Sequence, residues 1–69
     1  MQGKISAFYG AKAVADNGQP AGEFANKTPV EIVEPSGKPS WHVGEWTKVS
    51  NGTLTGWVAA NQVEYNYGN

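Results

Sequence analysis

The sequence predicts a small all-β domain of short strands, and three observations lead to this prediction. No segment shows helical periodicity over the roughly 11 residues that indicate an amphipathic helix. The nine Gly and four Pro are spread along the chain and divide it into short segments, which is typical of a small barrel or sandwich. The pair Asn51-Gly52 lies between two apolar segments and is a strong signal for a β-hairpin. The 69 residues suit a single domain.

The N-terminal part is predicted to form one strand followed by a long loop. Residues 4–10, KISAFYG, alternate so that one buried face would carry Ile5, Ala7 and Tyr9. Residues 11–26 contain an Asp-Asn-Gly sequence and a Pro, which indicate a loop rather than regular structure. Val14 and Phe24 are expected to reach the core from this loop.

The middle of the chain is predicted to form three strands. Residues 30–34, VEIVE, form the clearest strand, because the β-branched Val30 and Ile32 share one face. Residues 35–40, PSGKPS, are expected to be a loop, since two Pro and a Gly occur in six residues. Strands at 46–50 and 53–58 would then be joined by a two-residue type I′ turn at Asn51-Gly52.

The last segment is predicted to contain a tight turn and a short strand. Residues 59–62 are too few for an α-helix and fit a single helical turn. Residues 63–65 form the last predicted strand, and residues 66–69 are expected to be a loose end. In the interior we expect a set of small aliphatic side chains: Ala7, Val30, Ile32, Val49, Val58 and Val63.

Three motifs follow one another in a recognisable order. They are Ala7-Phe8-Tyr9, then Trp46-Thr47-Lys48-Val49, and then Gly56-Trp57-Val58 before a short turn and Val63. In this order they resemble SH3-like barrels, most closely the bacterial SH3 (SH3b) branch. The resemblance implies a single domain over residues 1–69, with its core at 4–65. It also implies a small five-stranded barrel with a short 3-10 turn before the last strand.

The resemblance also implies a function. SH3b domains are non-catalytic and commonly bind cell-wall peptides. Eukaryotic SH3 domains grip proline-rich peptides with a Pro and a Tyr of the closing turn, and those places are taken here by Ala59 and Gln62. The resemblance therefore favours a peptide ligand without implying the usual polyproline grooves.

Strand alternation suggests which aromatic residues are free to bind a ligand. If Val49 points inward, Trp46 points outward, and Trp57 lies on the face opposite Val58 and is expected to be semi-buried. Trp41 either folds over one end of the barrel or is exposed beside His42, which alone is most simply a solvated loop residue. The predicted ligand-binding residues are Trp46, Trp41, His42, Glu45, Asp16, Asn17, Trp57 and Asn61.

Composition argues against several classes of function. The chain has five Lys, no Arg and six acids, which weighs against nucleic acid, because Arg is the usual reader of phosphate and guanine. One His and no Cys exclude an ordinary structural zinc site. No nucleophile, base and orienting group stand together, so we expect no enzyme, no metal and no cofactor.

We therefore expect a non-catalytic module that binds a peptide or protein partner, for example a peptidoglycan peptide. The alternative is a small structural or assembly protein, for example a phage or virion component, that packs into a larger complex. The chain shows neither a signal-peptide stretch nor an apolar run of membrane-spanning length. The expected location is soluble and cytoplasmic or virion-associated, and at the cell wall only within a larger exported chain.

Overall fold

The fold was analysed in a computed structural model that describes residues 1–37 and 44–66. These residues form seven strands: β1 (Gln2–Ile5), β2 (Ala11–Val14), β3 (Pro20–Phe24), β4 (Pro29–Gly37), β5 (Trp46–Ser50), β6 (Thr55–Ala59) and β7 (Val63–Asn66). They make one sheet in the order β3-β2-β6-β5-β4-β1-β7, and every neighbouring pair is antiparallel. The all-β prediction is confirmed. The described residues form seven strands in a sheet that does not close, so the predicted five-stranded barrel is not confirmed.

A 3-10 turn (Ala60–Gln62) precedes the last strand, as predicted. It leads directly into β7, which pairs with β1 over the register Gln2↔Asn66 to Ile5↔Val63. The first strand therefore lies between the last strand and β4. In the part of the chain that the structure describes, no helix is long and apolar enough to cross a membrane.

The predicted strand at 4–10 is wrong in its second half. β1 ends at Ile5, and a turn closed by a 2.8 Å hydrogen bond from the Gly10 amide to the Ala7 carbonyl follows. Gly10 has a φ of +90°, a conformation that Gly adopts readily. The turn carries Phe8 and Tyr9 out to solvent, so Tyr9 is not on a buried face.

The predicted loop at 11–26 is in fact a β-hairpin. β2 and β3 pair from Ala11↔Phe24 to Val14↔Pro20, and the Asp-Asn-Gly sequence forms only the turn between them. β2 does alternate with a period of two, and its residues Ala11 and Ala13 point inward. Their small side chains gave too weak a hydrophobic signal for a strand to be predicted.

β4, β5 and β6 form the central antiparallel meander. The Ile32↔Val49 and Thr47↔Val58 registers place three apolar side chains and the buried Thr47 on one face. β4 continues to Gly37, so the predicted loop at 35–40 begins later than expected. Its remaining residues lie outside the described part of the chain.

The β5–β6 hairpin has a wider turn than predicted. Ser50 pairs with Thr55, which leaves a four-residue loop over 51–54 instead of a two-residue turn. The Asn51 side chain explains the difference, because its Oδ1 accepts the Thr53 amide at 2.9 Å and the Leu54 amide at 2.8 Å. A type I′ turn would require a positive φ at Asn51, and the φ of Asn51 is not positive.

The core lies between the inward faces of these strands. Burial of Val30, Ile32, Val49 and Val58 is confirmed, and the predicted core residues Ala7 and Val63 are partly buried against them. Phe24 also lies in the core, as expected, and it is the largest fully buried side chain among the described residues. Among residues 1–37 and 44–66, the buried cluster consists of Ile5, Ala11, Ala13, Phe24, Val30, Ile32, Val49 and Val58.

One backbone position is strained, and this leads to a stability prediction. Lys27 has a φ of +70° in the turn before β4. Replacing Lys27 with Gly is expected to raise the free energy of unfolding by up to about 1.5 kcal/mol. The left-handed conformation costs a non-Gly residue about 1–2 kcal/mol, against roughly 0.5–1 kcal/mol for the extra freedom of Gly in the unfolded chain. Urea denaturation measures the change.

Lys12 supplies the matched control, because it is an exposed lysine in the ordinary extended backbone of β2. Lys12→Gly should lower the free energy of unfolding by about 0.5–1 kcal/mol, since Gly gains nothing there. Equal destabilisation by both substitutions would show that the turn at Lys27 is not strained.

Candidate functional site

A polar cluster of Asp16, Lys48 and Trp57 lies on the outer face of the sheet. The outer face is the side of β5 and β6 opposite the buried Thr47 and Val58. Lys48 and Trp57 are directly opposite each other in the β5–β6 register. Asp16 reaches them from the β2–β3 turn. Val14, two residues before Asp16, pairs with Trp57 and brings the turn close to β6.

Asp16 accepts hydrogen bonds from both other members of this cluster. The Trp57 Nε1–H donates to Asp16 Oδ1 at 2.7 Å, and Lys48 Nζ donates to Asp16 Oδ2 at 3.1 Å. Lys48 Nζ also lies 6.0 Å from the centroid of the Trp57 ring, at the outer limit of a cation–π contact. The cluster therefore fastens the turn of the β2–β3 hairpin to the central strands.

Trp57 is more buried than the predicted semi-buried position, with 8% of its surface exposed. Its pairing with Lys48 and its bond to the exposed Asp16 place it on the face opposite Val58, as predicted. The hydrogen bond to Asp16 permits the burial of the indole, because a buried Trp N–H needs an acceptor. The indole is therefore a structural contact between two hairpins as well as a predicted site residue.

The cluster changes the acidity of Asp16. The hydrogen bond from the Trp57 indole, and next that from Lys48, lower the pKa of Asp16 from its ordinary 3.8. Both favour the ionised carboxylate. A folded pKa below the unfolded one means that the contribution to stability is present above pH 3.8 and is lost as pH falls through the folded pKa.

This sign leads to a pH-dependent prediction. Asp16→Asn should lower the melting temperature at neutral pH, and the gap to the wild type should close as the solution is acidified through the pKa of Asp16. Thermal melts by circular dichroism over acidic to neutral pH measure this.

Trp57→Phe provides the control, because it removes the indole N–H and keeps an aromatic ring. Asp16→Asn should have a smaller effect in the Trp57→Phe background, since the two residues form one hydrogen bond. An undiminished effect in that background would contradict the assigned contact.

A second group of predicted site residues lies around the 3-10 turn. Trp46 pairs with Ala59 and is half-buried, in agreement with its predicted surface location. The Ala60 amide donates to the Glu45 carbonyl at 3.1 Å, so the exposed Glu45 borders the start of the turn. Asn61 is exposed within the turn.

The structure thus divides the predicted site into two groups. Asp16 and Trp57 are in direct contact, and Asn17 is exposed beside them in the β2–β3 turn. Trp46 and Trp57 both occupy outward positions on neighbouring strands. Trp46 pairs with Ala59, which is two residues after Trp57 in β6. The predicted ligand-binding residues Trp41 and His42 lie outside the described residues.

Sequence reasoning missed two highly exposed aromatic residues. Phe8 and Tyr9 are 82% and 89% exposed, and their rings meet edge to face with centroids 4.8 Å apart. The alternation from Ile5 to Tyr9 concealed them, because it was extended through a turn. The usable signal was Gly10, since a Gly at the end of an apolar alternation marks a turn.

The carboxylate of Glu23 lies beside this aromatic pair. A side chain at Gly10 would come within 3.1 Å of Glu23 Oε2, so the absence of one leaves the carboxylate adjacent to the turn. Within residues 1–37 and 44–66, Glu23 forms no ion pair. A depression lined by Phe8, Tyr9, Gly10, Glu23, Phe24, Ala25 and Asn26 runs beside it.

Backbone hydrogen bonds attach both aromatic segments to the same 3-10 turn. The Ser6 amide donates to the Gln62 carbonyl at 2.8 Å at one end. The bond between Ala60 and Glu45 is at the other end. The segment bearing Phe8 and the strand bearing Trp46 therefore flank a single three-residue element.

No group of three or more His, Cys, Asp or Glu among the described residues could hold a metal ion. In comparisons with known proteins, no family model, no curated protein and no solved structure matches this chain.

Proposed function

We propose that the protein is a non-catalytic interaction module with an SH3-like barrel that binds a peptide or protein segment through exposed aromatic residues. The element order supports the barrel. If the β2–β3 hairpin is counted as an excursion after the first strand, five strands remain: β1, β4, β5, β6 and β7. The 3-10 turn before β7 and the motifs in β5 and β6 fit the same arrangement.

The observation that carries the binding proposal is the exposure of Phe8 and Tyr9. Two adjacent aromatic side chains in an edge-to-face pair at a turn contribute little to the core of this chain. Aromatic residues are enriched among the residues that dominate protein interfaces. A partner that covers both rings would remove their apolar surface from water.

The charge beside the pair favours a basic group in the partner. The Glu23 carboxylate adjoins the turn and has no ion pair within the described residues. A Lys or Arg side chain could place its aliphatic stem on Phe8 or Tyr9 and its charge at Glu23. The preferred ligand is therefore an extended segment with a basic residue next to an apolar one.

The binding prediction concerns the double variant Phe8→Ala/Tyr9→Ala. It should bind a basic-apolar peptide at least about tenfold more weakly than the wild type, because truncating a central interface aromatic costs roughly 1–2 kcal/mol or more. Peptide arrays identify the ligand, and fluorescence titration measures the dissociation constants. Amide shifts in the wild type should include Phe8, Tyr9 and Glu23.

Val33→Ala is the matched control, because Val33 is an exposed apolar residue on β4, away from the Phe8–Tyr9 turn in the chain. It should leave affinity unchanged.

A peptide in which Glu replaces the basic residue should bind more weakly, and Glu23→Gln should remove that discrimination. Peptidoglycan stem peptides belong in the same titration. Ligand-induced shifts that avoid Phe8 and Tyr9 would refute the proposed surface.

A second candidate function is assembly into a larger structure, and the sheet termini favour it. In the described part of the chain, β3 pairs only with β2 and ends the sheet. An edge strand can accept a strand from another chain. Light scattering over a concentration series tests self-assembly, and a mass that stays monomeric throughout would count against it.

A further inference from the structure

The chain contains two Asn-Gly pairs, and the structure holds them differently. Asn17-Gly18 forms the turn of the β2–β3 hairpin, and Asn51-Gly52 begins the β5–β6 loop. Both Asn side chains are exposed. We propose that Asn17 is a site of spontaneous deamidation in the folded protein, and that the fold suppresses the same reaction at Asn51. This inference is independent of the proposed binding function.

The reaction is an intramolecular cyclisation followed by hydrolysis. The Gly backbone nitrogen loses its proton and attacks the Asn Cγ, forming a C–N bond, while the side-chain amide C–N bond breaks and ammonia leaves. Water then opens the succinimide ring at either carbonyl, which gives aspartate or isoaspartate. The following residue must be small for the nitrogen to approach, and both Asn precede a Gly.

Hydrogen bonds oppose this reaction more strongly at Asn51. Cyclisation requires the side chain to turn until Cγ faces the next backbone nitrogen. At Asn51 this breaks two bonds to Oδ1, from the Thr53 and Leu54 amides. At Asn17 it breaks one, from the Gln19 amide at 3.0 Å. The attacking backbone amides do not differ in this respect, because each donates one hydrogen bond. The Gly18 amide donates to the Ala15 carbonyl, and the Gly52 amide donates to Ser50 Oγ.

The location of the two turns in the sheet acts in the same direction. The loop at 51–54 joins β5 and β6, which are both interior strands of the sheet. The turn at Asn17 joins β2 to the terminal strand β3. Local opening is easier at the periphery of a fold, where fewer interactions are lost. The bonds of Asp16 to Trp57 and Lys48 hold the start of this turn, so the opening concerns Asn17, Gly18 and the terminal strand that follows them.

Modification at Asn17 would act on the polar cluster beside it. A new carboxylate would stand next to Asp16, which accepts hydrogen bonds from Trp57 and Lys48. A nearby like charge disfavours the ionised form and would raise the pKa of Asp16. Isoaspartate also inserts a methylene into the backbone of the turn.

The test compares the two Asn within the same molecules. The folded protein is incubated at neutral pH, and peptide mapping by mass spectrometry quantifies aspartate and isoaspartate at each position. Asn17 should react roughly two- to tenfold faster than Asn51, which corresponds to one net hydrogen bond of about 0.5–1.5 kcal/mol. In denaturant the two rates should become nearly equal. Equal rates in the folded protein, or a ratio that persists in denaturant, would overturn the proposal.

Two variants make the test specific. Ser50→Ala removes the acceptor of the Gly52 amide and should accelerate reaction at Asn51 while leaving Asn17 unchanged; an unchanged rate at Asn51 contradicts the proposal. Asn17→Asp imitates one product and should shift the NMR resonance of the Trp57 indole N–H. A resonance unaffected by this substitution would refute the proposed effect on the cluster.

Discussion

Replacing Phe24 with Ala is expected to remove a large part of the free energy of unfolding, about 3–5 kcal/mol. Phe24 is 1% exposed and has the largest fully buried side chain in the part of the core that the structure describes. Truncating a buried Phe costs about 3–5 kcal/mol. At roughly 0.05–0.15 kcal/mol per residue, the whole domain is stable by only about 3–10 kcal/mol, and it has no Cys to form a disulfide. One side chain therefore accounts for a large part of the stability.

Urea denaturation followed by far-ultraviolet circular dichroism measures this loss. Phe8→Ala is the matched control, because it is the same substitution at the other Phe of the chain, which is 82% exposed. It should change the free energy of unfolding by no more than about 0.5 kcal/mol. Similar losses from both substitutions would mean that the core does not centre on Phe24.

Replacing Gly3 with Ala is expected to have the second-largest effect, a loss of about 1–3 kcal/mol. Gly3 lies in β1 between β4 and β7. A Cβ at this position would approach the Glu64 backbone carbonyl to 2.8 Å and Ile32 Cδ1 to 3.1 Å. A flexible side chain can move away, but the carbonyl belongs to the paired strand, so β1 and β7 would have to separate.

The double variant Gly3→Ala/Ile32→Val identifies which contact matters. It removes Ile32 Cδ1 and keeps the backbone contact, so it should not recover the stability of the Ile32→Val single variant. Thermal unfolding of all four proteins completes the cycle. Full recovery would show that the side chain, and not the strand pairing, limits the space at Gly3.

The strands with large β-branched residues were predictable from the sequence. Val30 and Ile32 in β4, and Val49 and Val58 in the β5–β6 hairpin, show period-two alternation of bulky side chains. Each strand uses this alternation to bury one face, so pattern and burial have the same cause. The short turn before β7 was predicted for a related reason, since residues 59–62 were too few for a longer element.

The β2–β3 hairpin was not predictable in the same way. Its inward residues Ala11 and Ala13 are small, and Pro20 and Gly22 are unfavourable in strands. Ala13 fits because Gly56 of β6 leaves room; a Cβ on Gly56 would lie 3.0 Å from that of Ala13. This strand therefore depends on a close approach to another strand, which short-range patterns do not contain.

The candidate site shows the same division. Alternation correctly assigned Trp46 and Trp57 to the outward side of their strands, but the indole hydrogen bond to Asp16 joins residues 41 positions apart in the chain. The exposure of Phe8 and Tyr9 depended on where β1 ends. The interaction module and its alternative, an assembly protein, are distinguished by the binding and light-scattering experiments above.

The sequence by itself determined an all-β chain, the faces of β4, β5 and β6, and the turn before the last strand. These features follow from interactions between residues that are close in the chain. Only the tertiary structure decided that residues 11–24 form a hairpin, that Asp16 fastens it to Trp57, and that Phe8 and Tyr9 are left exposed. These features depend on pairing between distant strands, and the free energy of such pairing is set by three-dimensional packing.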